Sequence, residues 1–377
     1  MTEIHPSAFC EALEQRGLEF FCGVPDSLLK DLCSHLLANV PSNRHVIAAN
    51  EGNAVAMACG WHVATGRAAV VYMQNSGEGN AVNPLLSLAD PDVYSIPMLL
   101  VIGWRGEPGV PDEPQHLKQG KATLALLDAM GVPYEVLDID RWREQISSLE
   151  ARMRIESRPV ALVVRKGALS SSPLPPSVEP APLTREAMLE LLLDSIGSDD
   201  IVVATTGKTS RELFEARERR GQGHARDFLT VGGMGHTCSI ALGMALGSDR
   251  TVWCVDGDGS FLMHMGSLAV AGAMAPDTLK YVLNDNGAHE SVGGFPTAGR
   301  SVDIAGILRA CGFETTSVSA ELDAREAFET MREPGRKALV VRTRQGSRRD
   351  LGCPDIAPKD NKLAMIDMLT EGAGSRA

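Results

Sequence analysis

Short apolar runs rich in β-branched residues alternate, in the first half of the chain, with stretches whose apolar residues recur at three- and four-residue spacing. The runs predict buried strands and the spaced stretches predict amphipathic helices. The two clearest helical stretches are Leu28–Leu37 and Asn53–Thr65. The predicted strands of this half are Glu19–Cys22, His45–Ala49, Ala68–Met73, Met98–Gly103 and Pro159–Val164.

The same alternation begins again at about Thr184 and predicts a second set of strands. The two halves also end on similar segments, RPVALVVRKG in the first and RKALVVRTRQG in the second. Nearly continuous apolar strands that alternate with helices are typical of parallel sheets covered by helices on both faces. We therefore expect an α/β protein with two domains of this kind. The predicted strands of the second half are Ile201–Ala204, Thr251–Val255, Leu279–Leu283 and Ala338–Arg342.

A segment rich in Ser and Pro, SSSPLPPSVEPAPL, separates the two halves. Because proline disrupts helices and central strands, this segment is predicted to be a linker. The expected organisation is a first domain over residues 1–168, a linker over 169–183 and a second domain over 184–377. The last twenty or so residues are polar and small, and they predict a frayed tail.

Composition and charge exclude several classes of protein. The chain has 377 residues, 44% of them hydrophobic, and a net charge of −12 without a basic stripe, which argues against nucleic acid as a partner. The longest apolar stretch, Pro97–Trp104, is too short to span a bilayer, and the N-terminus has no export signal. The eight cysteines are scattered without C-x-x-C spacing. These features predict a cytoplasmic globular protein with reduced thiols.

Candidate chemistry first appears after the predicted strand Thr251–Val255, where Asp256-Gly257-Asp258-Gly259-Ser260 precedes a helical run from Phe261. In parallel sheets, ligands bind beyond the carboxyl ends of the strands. A glycine turn that opens a helix leaves backbone N–H groups free for a phosphate, and Asp258 adds a carboxylate for a bridging divalent cation. The alternative is a simple strand-to-helix turn, in which Asp and Gly are common.

A second group of oxygen ligands follows the next strand, in Asn284-Asp285-Asn286-Gly287-Ala288. Residues 260–285, between the two groups, are enough for a helix and a returning strand. The Gly-Asp-Gly turn, this interval and an asparagine together resemble the diphosphate–metal motif of thiamine diphosphate enzymes. In the first half, Glu51 follows the strand His45–Ala49 and begins a helix, where these enzymes place a glutamate that contacts the pyrimidine ring of the cofactor. A helix-terminal acid stabilised by the helix dipole is the alternative for Glu51.

The resemblance narrows to the phosphonopyruvate decarboxylase family, with sulfopyruvate decarboxylases as near relatives. It covers both halves and rests on six segments: 23–30 (GVPDSLLK), 74–80 (QNSGEGN), 103–109 (GWRGEPG), 112–116 (DEPQH), 205–212 (TTGKTSRE) and 286–294 (NGAHESVGG). Two positions depart from the family. Glu78 stands where relatives carry an apolar residue, so the substrate preference could differ. Asp285-Asn286 stands where they read Asn-Asn, so either side chain could bind the metal, and Asn286 gives the alignment without a gap.

The resemblance implies thiamine diphosphate and Mg²⁺ as cofactors and assigns residues to them. The cation would be bound by Asp258, Asn286 and the backbone carbonyl of Ala288. Met234, between glycines that let the backbone approach closely, would support the bent cofactor, although a methionine taken alone is more often plain core packing. The residues expected to bind the cofactor are Glu51, Gly207, Thr209, Gly232, Met234, Gly257, Asp258, Gly259, Ser260 and Asn286.

The implied reaction is decarboxylation of 3-phosphonopyruvate to phosphonoacetaldehyde, within phosphonate biosynthesis. A substrate with a carboxylate and a phosphonate needs cations or hydrogen-bond donors, and the candidates are the cations Arg105, Lys208 and Arg211 with the neutral donors Ser27 and Asn75. The resemblance also places Asp26 among the substrate-binding residues. Glu51 is the expected catalytic residue together with His116 and His289, whose imidazoles titrate near neutrality. The alternatives are a sulfopyruvate decarboxylase, a carboligase of the acetolactate synthase type, or a non-catalytic binding protein. The family also implies a homodimer or homotetramer, because its cofactor lies between domains of different subunits.

Overall fold

The structure is a computed structural model that describes residues 3–173 and 181–373, with the backbone alone for residues 371–373. The chain divides into two compact units. The first comprises Met1–Pro176 with Val292–Phe295, and the second comprises Ser177–Ser291 with Pro296–Ala377. Each unit contains one six-stranded sheet.

The first unit has a parallel sheet with the strand order β2-β1-β3-β4-β6-β5. Its strands are β1 Phe21–Gly23, β2 His45–Ile47, β3 Ala69–Gln74, β4 Met98–Gly103, β5 Tyr134–Val136 and β6 Pro159–Val164. Its helices are α1 Pro6–Glu14, α2 Lys30–Asn39, α3 Glu51–Thr65, α4 Glu78–Pro84, α5 Pro114–Ala129 and α6 Trp142–Glu156. A 3₁₀ turn at Asn75–Gly77 and a π-helical turn at Leu85–Ala89 flank α4.

The second unit repeats this architecture, with a parallel sheet in the order β13-β14-β10-β9-β7-β8. The strands of the sheet are β7 Ile201–Ala204, β8 Asp227–Leu229, β9 Val252–Gly257, β10 Leu279–Asp285, β13 Glu314–Val318 and β14 Lys337–Arg342, and two short strands, β11 Ala288–His289 and β12 Phe295–Pro296, lie outside it. The helices are α7 Arg185–Ser195, α8 Lys208–Arg219, α9 Thr237–Leu246, α10 Asp258–Met263, α11 Gly266–Met274, α12 Ile304–Ala310, α13 Glu321–Met331 and α14 Pro358–Ala373. Two 3₁₀ turns, Glu290–Val292 and Ala298–Ser301, follow β11 and β12.

The central strands are apolar because both of their faces are covered. In β7, Val202 and Ala204 pack into a core on one face of the sheet, while Ile201 and Val203 pack into a core on the other. Every residue of β4 and β6 is buried as well. This pattern is the reason that the central strands read as continuous hydrophobic runs.

The predicted fold class is confirmed, because both sheets are parallel and carry helices between their strands. The predicted central strands occur within about two residues of their observed bounds. The pattern missed β5, β8 and β13, which are edge strands, and β13 exposes polar side chains. No helix in the described part of the chain is both long and apolar enough to span a membrane.

The expectation of a frayed C-terminal tail was wrong over most of its length, because α14 extends to Ala373. Met365 of this helix is buried in the core of the second unit, which stabilises the helix against the domain. Residues 174–180 of the predicted linker lie outside the described residues. On either side of them, Leu169 is buried in the first unit and Leu183 in the second.

Candidate active site

The second unit has a polar pocket beyond the carboxyl ends of β7, β9 and β10. This is the edge at which open parallel sheets bind ligands. It collects residues from five separate segments of the sequence, and most of them are residues that the family resemblance implied. The lining residues are Arg185, Thr205, Thr206, Lys208, Thr209, Met234, Gly257, Asp258, Gly259, Ser260, Asn284, Asn286, Ala288, His289, Glu290 and Ser291.

Asp258 begins α10 directly after β9, and its side chain is buried. The hydroxyl of Thr297 donates a hydrogen bond to Asp258 Oδ2, and Thr297 in turn accepts from the backbone N–H of Gly299 at 3.2 Å. Burial, with a smaller contribution from the carboxylate of Asp285, raises the pKa of Asp258 to about 7. Within the described residues no Lys or Arg pairs with Asp258, so a bound cation would compensate its charge.

Asn286 reaches the same pocket from the loop after β10. Its Oδ1 accepts from the backbone N–H of Ala288 at 3.0 Å, and its Nδ2 donates to Glu290 Oε2 at 3.0 Å. The neighbouring Asp285 does not line the pocket, and its Oδ2 lies 3.6 Å from Nη1 of Arg300. Of these two neighbours, Asn286 lines the pocket and Asp285 does not.

The donor set of this pocket suits Mg²⁺ better than a transition metal. The described residues contain no group of three or more His, Cys, Asp or Glu side chains arranged to hold a metal. What the pocket offers instead is the carboxylates of Asp258 and Glu290, the amides of Asn284 and Asn286, and the backbone at Ala288. Mg²⁺ is commonly bound by one or two carboxylates together with phosphate oxygens and water, which fits this set.

The loop before α8 provides a site for an anion. Gly207 has φ +96 and ψ −135, a conformation that essentially only glycine adopts. The helix that follows begins at Lys208, so its first N–H groups lie at the pocket together with the Lys208 ammonium and the Thr209 hydroxyl. A helix N-terminus with a basic side chain favours phosphate. Arg211, one turn further along α8, does not line this pocket.

Glycine residues allow Met234 and His289 to approach the Gly-Asp-Gly turn closely. Gly232, Gly233 and Gly235 all have positive φ, and Gly235 donates its N–H to Ser260 Oγ at 3.0 Å. A Cβ at Gly259 would lie 3.0 Å from His289 Nδ1 and 3.2 Å from Met234 Cε. Burial lowers the pKa of His289 to about 4, so its imidazole is neutral near pH 7.

In the first unit, Glu51 is the first residue of α3 and is buried. The preceding Asn50 caps the helix, since its side chain accepts from the N–H of Asn53 at 2.9 Å. The side-chain amide of Asn80 donates to Glu51 Oε2 at 2.7 Å. A Cβ at Gly77 would lie only 2.4 Å from the Glu51 carboxyl, so this position must be glycine for the carboxyl to keep its place.

A second polar cluster of the first unit contains Asp26, Ser27, Asn75 and Arg105. Arg105 Nη1 donates to Ser27 Oγ at 2.7 Å, and Asn75 Nδ2 donates to the Arg105 carbonyl at 2.8 Å. Asp112 forms a two-point ion pair with the guanidinium, with 2.8 Å between Arg105 Nε and Asp112 Oδ2. Burial raises the pKa of Asp26 to about 6, although the backbone N–H of Leu28 and the nearby Arg105 oppose this.

Comparison with known proteins decides the family of the chain. Residues 6–127 match the N-terminal TPP binding domain of thiamine pyrophosphate enzymes, and residues 205–342 match their C-terminal TPP binding domain. The chain belongs to the thiamine pyrophosphate enzymes. Thiamine pyrophosphate, which is the same compound as thiamine diphosphate, is therefore its cofactor, and the family expected from the sequence is confirmed.

The relatives that span most of this thiamine enzyme are decarboxylases. A phosphonopyruvate decarboxylase of Streptomyces viridochromogenes is 35% identical over 91% of this chain and 89% of its own. One from Streptomyces hygroscopicus is 32% identical over 99% of this chain and 98% of its own. A sulfopyruvate decarboxylase of Methanosarcina acetivorans is 28% identical over 86% of this chain and 87% of its own. The chain is accordingly a thiamine-dependent decarboxylase of 2-oxo acids.

The residues predicted from the sequence of this thiamine enzyme fall into two groups. In the second unit the pocket brings together those expected to bind cofactor and metal except Gly207 and Gly232, and also Lys208, which was expected to bind substrate. In the first unit, Glu51 is bound by Asn80, which was not among the predicted residues. The other predicted residues Asp26, Ser27, Asn75 and Arg105 form one cluster. His116, on α5, is buried, and burial followed by the nearby Arg105 lowers its pKa.

Several residues that position the predicted ones carry no signal of their own in the sequence. Asn80 and Glu290 lie within segments that resemble the family. Their residue types alone do not predict that Asn80 contacts Glu51 or that Glu290 contacts Asn286. Thr297 and Arg185 are distant along the chain from the residues that they contact. Only the folded structure reveals these contacts.

Proposed function

We propose that this enzyme decarboxylates 3-phosphonopyruvate to phosphonoacetaldehyde and CO₂, a step of phosphonate biosynthesis. The observation that carries the proposal is the similarity to two phosphonopyruvate decarboxylases, each more than 30% identical over most of both chains. Sulfopyruvate is the second candidate substrate, supported by a relative of lower identity.

In the proposed reaction the bond between the carboxylate carbon and the keto carbon breaks, and the carboxylate leaves as CO₂. Bound thiamine diphosphate supplies the electron sink that accepts the electron pair left on the former keto carbon. A proton then adds to that carbon, and the aldehyde leaves. A carboligase would instead transfer the same two-carbon unit to a second carbonyl compound.

Glu51 is the proposed catalytic residue of the first unit, holding a proton at N1′ of the pyrimidine ring. Three features of the structure support this role. The carboxyl is buried, Asn80 binds one of its oxygens at 2.7 Å, and Gly77 leaves space beside it. A buried carboxyl held in one orientation is what proton sharing with a bound ring requires.

In the second unit we propose that Mg²⁺ is bound by Asp258, Asn286 and the carbonyl of Ala288. Diphosphate oxygens and water would complete six oxygen ligands. The N-terminus of α8, with Gly207, Thr209 and the turn Gly257–Ser260, would bind the diphosphate. Gly232 and Met234 would support the organic part of the cofactor, since this loop and the Gly-Asp-Gly turn line the same pocket.

The substrate's two anionic groups would be bound by hydrogen-bond donors with little net charge. In the first unit Arg105 is neutralised by Asp112, so it would act together with Ser27 and Asn75 more than as a lone cation. Asp26 would hold this cluster in place, because its carboxylate accepts from Leu28 and lies beside Ser27. Lys208 is the candidate cation of the second unit.

His116 and His289 are the proposed proton carriers. The Nδ1 atom of His116 is buried without a hydrogen-bond partner among the described residues, so its hydrogen-bonding capacity is unused there. His289 contacts the Gly-Asp-Gly turn and is neutral near pH 7, so it would accept a proton before it donated one.

We further propose that the enzyme is a homodimer or homotetramer in the cytoplasm. Of the candidate residues, Glu51 belongs to the first unit and the Asp258–Asn286 pocket to the second. The oligomer is the arrangement that the family resemblance implies. The cytoplasm suits the six buried cysteines, which are thiols outside any disulfide.

A substrate comparison tests the proposed function. Phosphonopyruvate, sulfopyruvate and pyruvate are each supplied with thiamine diphosphate and Mg²⁺, and aldehyde and CO₂ are measured. We expect phosphonopyruvate to give the highest kcat/KM. A preference for sulfopyruvate would contradict the proposed substrate. Formation of an α-hydroxyketone when an aldehyde acceptor is added, in place of free aldehyde, would indicate the carboligase.

A further inference from the structure

A buried ion-pair network lies directly behind Asn286. Arg185, the first residue of α7, has only 3% of its surface exposed, yet it binds two carboxylates. Its Nε and Nη2 donate to Glu212 at 2.8 Å, and its Nη1 donates to Glu290 Oε2 at 2.8 Å. Arg185 and Glu212 are buried and Glu290 is partly buried. Because burying charged groups is costly, such a network is a weak source of stability, and a further role would explain it better.

The network reaches Asn286 through Glu290. Glu290 Oε2 accepts from Asn286 Nδ2 at 3.0 Å as well as from Arg185. An ionised carboxylate has no hydrogen to donate, so only the NH₂ side of the Asn286 amide can face it. The amide oxygen must then face away from Glu290, and the N–H of Ala288 binds that oxygen at 3.0 Å. A carbonyl oxygen has a second lone pair, which remains for a further ligand.

We propose that Arg185 and Glu290 are positioning residues that fix the Asn286 amide with its oxygen, and not its nitrogen, towards the cation. This inference rests on the proposed role of Asn286 as a metal ligand. The two atoms of an amide have nearly the same shape, so packing alone cannot select between them. The carboxylate of Glu290 can select between them because it accepts a hydrogen bond only from the nitrogen. The guanidinium of Arg185 keeps that carboxylate in place.

The chain offers a matched pair of variants. Glu290→Gln and Glu212→Gln each replace one of the two carboxylates on Arg185 by an amide of the same size, but only Glu290 contacts Asn286. In Glu290→Gln, Arg185 retains the remaining oxygen, so the new NH₂ group faces the NH₂ of Asn286. That contact favours rotation of the Asn286 amide, which would place a nitrogen at the metal.

The measurement is the Kd for Mg²⁺, determined by calorimetric titration of the full-length protein with saturating thiamine diphosphate. Loss of a residue that orients a metal ligand typically weakens binding about 10–100-fold, so we expect Glu290→Gln to weaken Mg²⁺ binding by at least about 10-fold. We expect a change several-fold smaller for Glu212→Gln. Thermal unfolding without metal and cofactor reports the effect of each variant on the fold separately.

A reversed pair makes the test independent of charge loss. In the double variant Asn286→Asp with Glu290→Gln, the carboxylate stands at the metal and the amide behind it, so the hydrogen bond is kept with its donor and acceptor exchanged. We expect the double variant to bind Mg²⁺ more tightly than either single variant, which a double-mutant cycle measures as coupling. If Glu290→Gln alone does not fold, the Kd for Mg²⁺ of Asn286→Asp is compared with that of the double variant, in which the hydrogen bond is kept.

Equal losses of Mg²⁺ affinity in Glu290→Gln and Glu212→Gln, or no recovery in the double variant, would overturn the proposal. Asn286→Ala separates this failure from failure of the proposed function. If Asn286→Ala leaves the Kd for Mg²⁺ unchanged, Asn286 is not a ligand and the proposed metal site is wrong. If Asn286→Ala weakens Mg²⁺ binding but Glu290→Gln does not, only the positioning role is wrong.

Discussion

Glu78 is a buried acid whose replacement should stabilise the protein. Its side chain is only 3% exposed, and Oε1 has no hydrogen-bond partner among the described residues. Burial raises its pKa from 4.5 to about 8, although a hydrogen bond with Thr123 opposes the shift. Glu78 is therefore protonated in the folded protein near pH 7, whereas it is ionised in the unfolded chain.

The size of the effect follows from linkage. Between pH 4.5 and about 8 the folded protein binds one more proton at Glu78 than the unfolded chain does, so the free energy of unfolding falls as the pH rises. One pKa unit corresponds to about 1.4 kcal/mol. Relative to its value at low pH, the free energy of unfolding is therefore lower by about 3 kcal/mol at pH 7 and by about 5 kcal/mol above pH 8. The stability that is linked to the proton on Glu78 is fully present below pH 4.5.

The variant Glu78→Gln keeps the size of the side chain but cannot ionise. Urea unfolding of parent and variant is compared between about pH 5.5 and pH 8.5. The variant should be the more stable, and its advantage should widen by about 3 kcal/mol from the low to the high end of this range. An exposed acid on α13, Glu321, provides the control variant Glu321→Gln. An advantage of Glu78→Gln that does not change with pH would refute the reasoning.

Three further predictions have defined outcomes. Asp258→Ala should shrink the thermal shift that thiamine diphosphate and Mg²⁺ produce, because ligands bound to the folded state stabilise it. The control variant Asp285→Asn should retain the shift, and an unchanged shift in Asp258→Ala would mean that Asp258 is only a turn residue. Gly77→Ala should abolish most of the turnover, since its Cβ would lie 2.4 Å from the Glu51 carboxyl, and full activity would contradict that contact. Light scattering at the assay concentration should find an even-numbered oligomer with closed symmetry, and a fully active monomer would exclude it.

Much of the fold could be predicted because its central strands are buried on both faces and so appear as uninterrupted apolar runs. The strand Met98–Gly103 was predicted at its observed bounds for this reason. The edge strand β13 was missed because solvent covers one side of it and its sequence, ETTSV, is largely polar. The helix α14 was missed because its inner face is short. Met365, Met368 and Leu369 pack against the core, but the apolar Leu363 and Ile366 are exposed and obscure the helical pattern.

Candidate site residues could be predicted where local sequence carries the chemistry. The Gly-Asp-Gly turn and the asparagine after the next strand combine backbone geometry, oxygen ligands and spacing, and the pocket contains both. Residues that act through another side chain leave no such pattern. Arg185 is separated from Glu290 by more than a hundred residues, and its type at the start of a helix indicates nothing more than surface charge. Contacts of this kind depend on the tertiary fold.

The most direct test concerns the proton that Glu51 is proposed to hold at the cofactor. Glu51→Gln keeps the size of the side chain and its hydrogen bond with Asn80 but cannot share a proton with N1′ of the pyrimidine ring. Exchange of the cofactor C2 hydrogen for deuterium, followed by NMR after an acid quench, measures the step that depends on this proton. We predict that the variant exchanges at least about 100-fold more slowly, with cofactor affinity reduced much less. Exchange as fast as in the parent protein would show that Glu51 only stabilises the start of α3, and the proposed active site would be wrong.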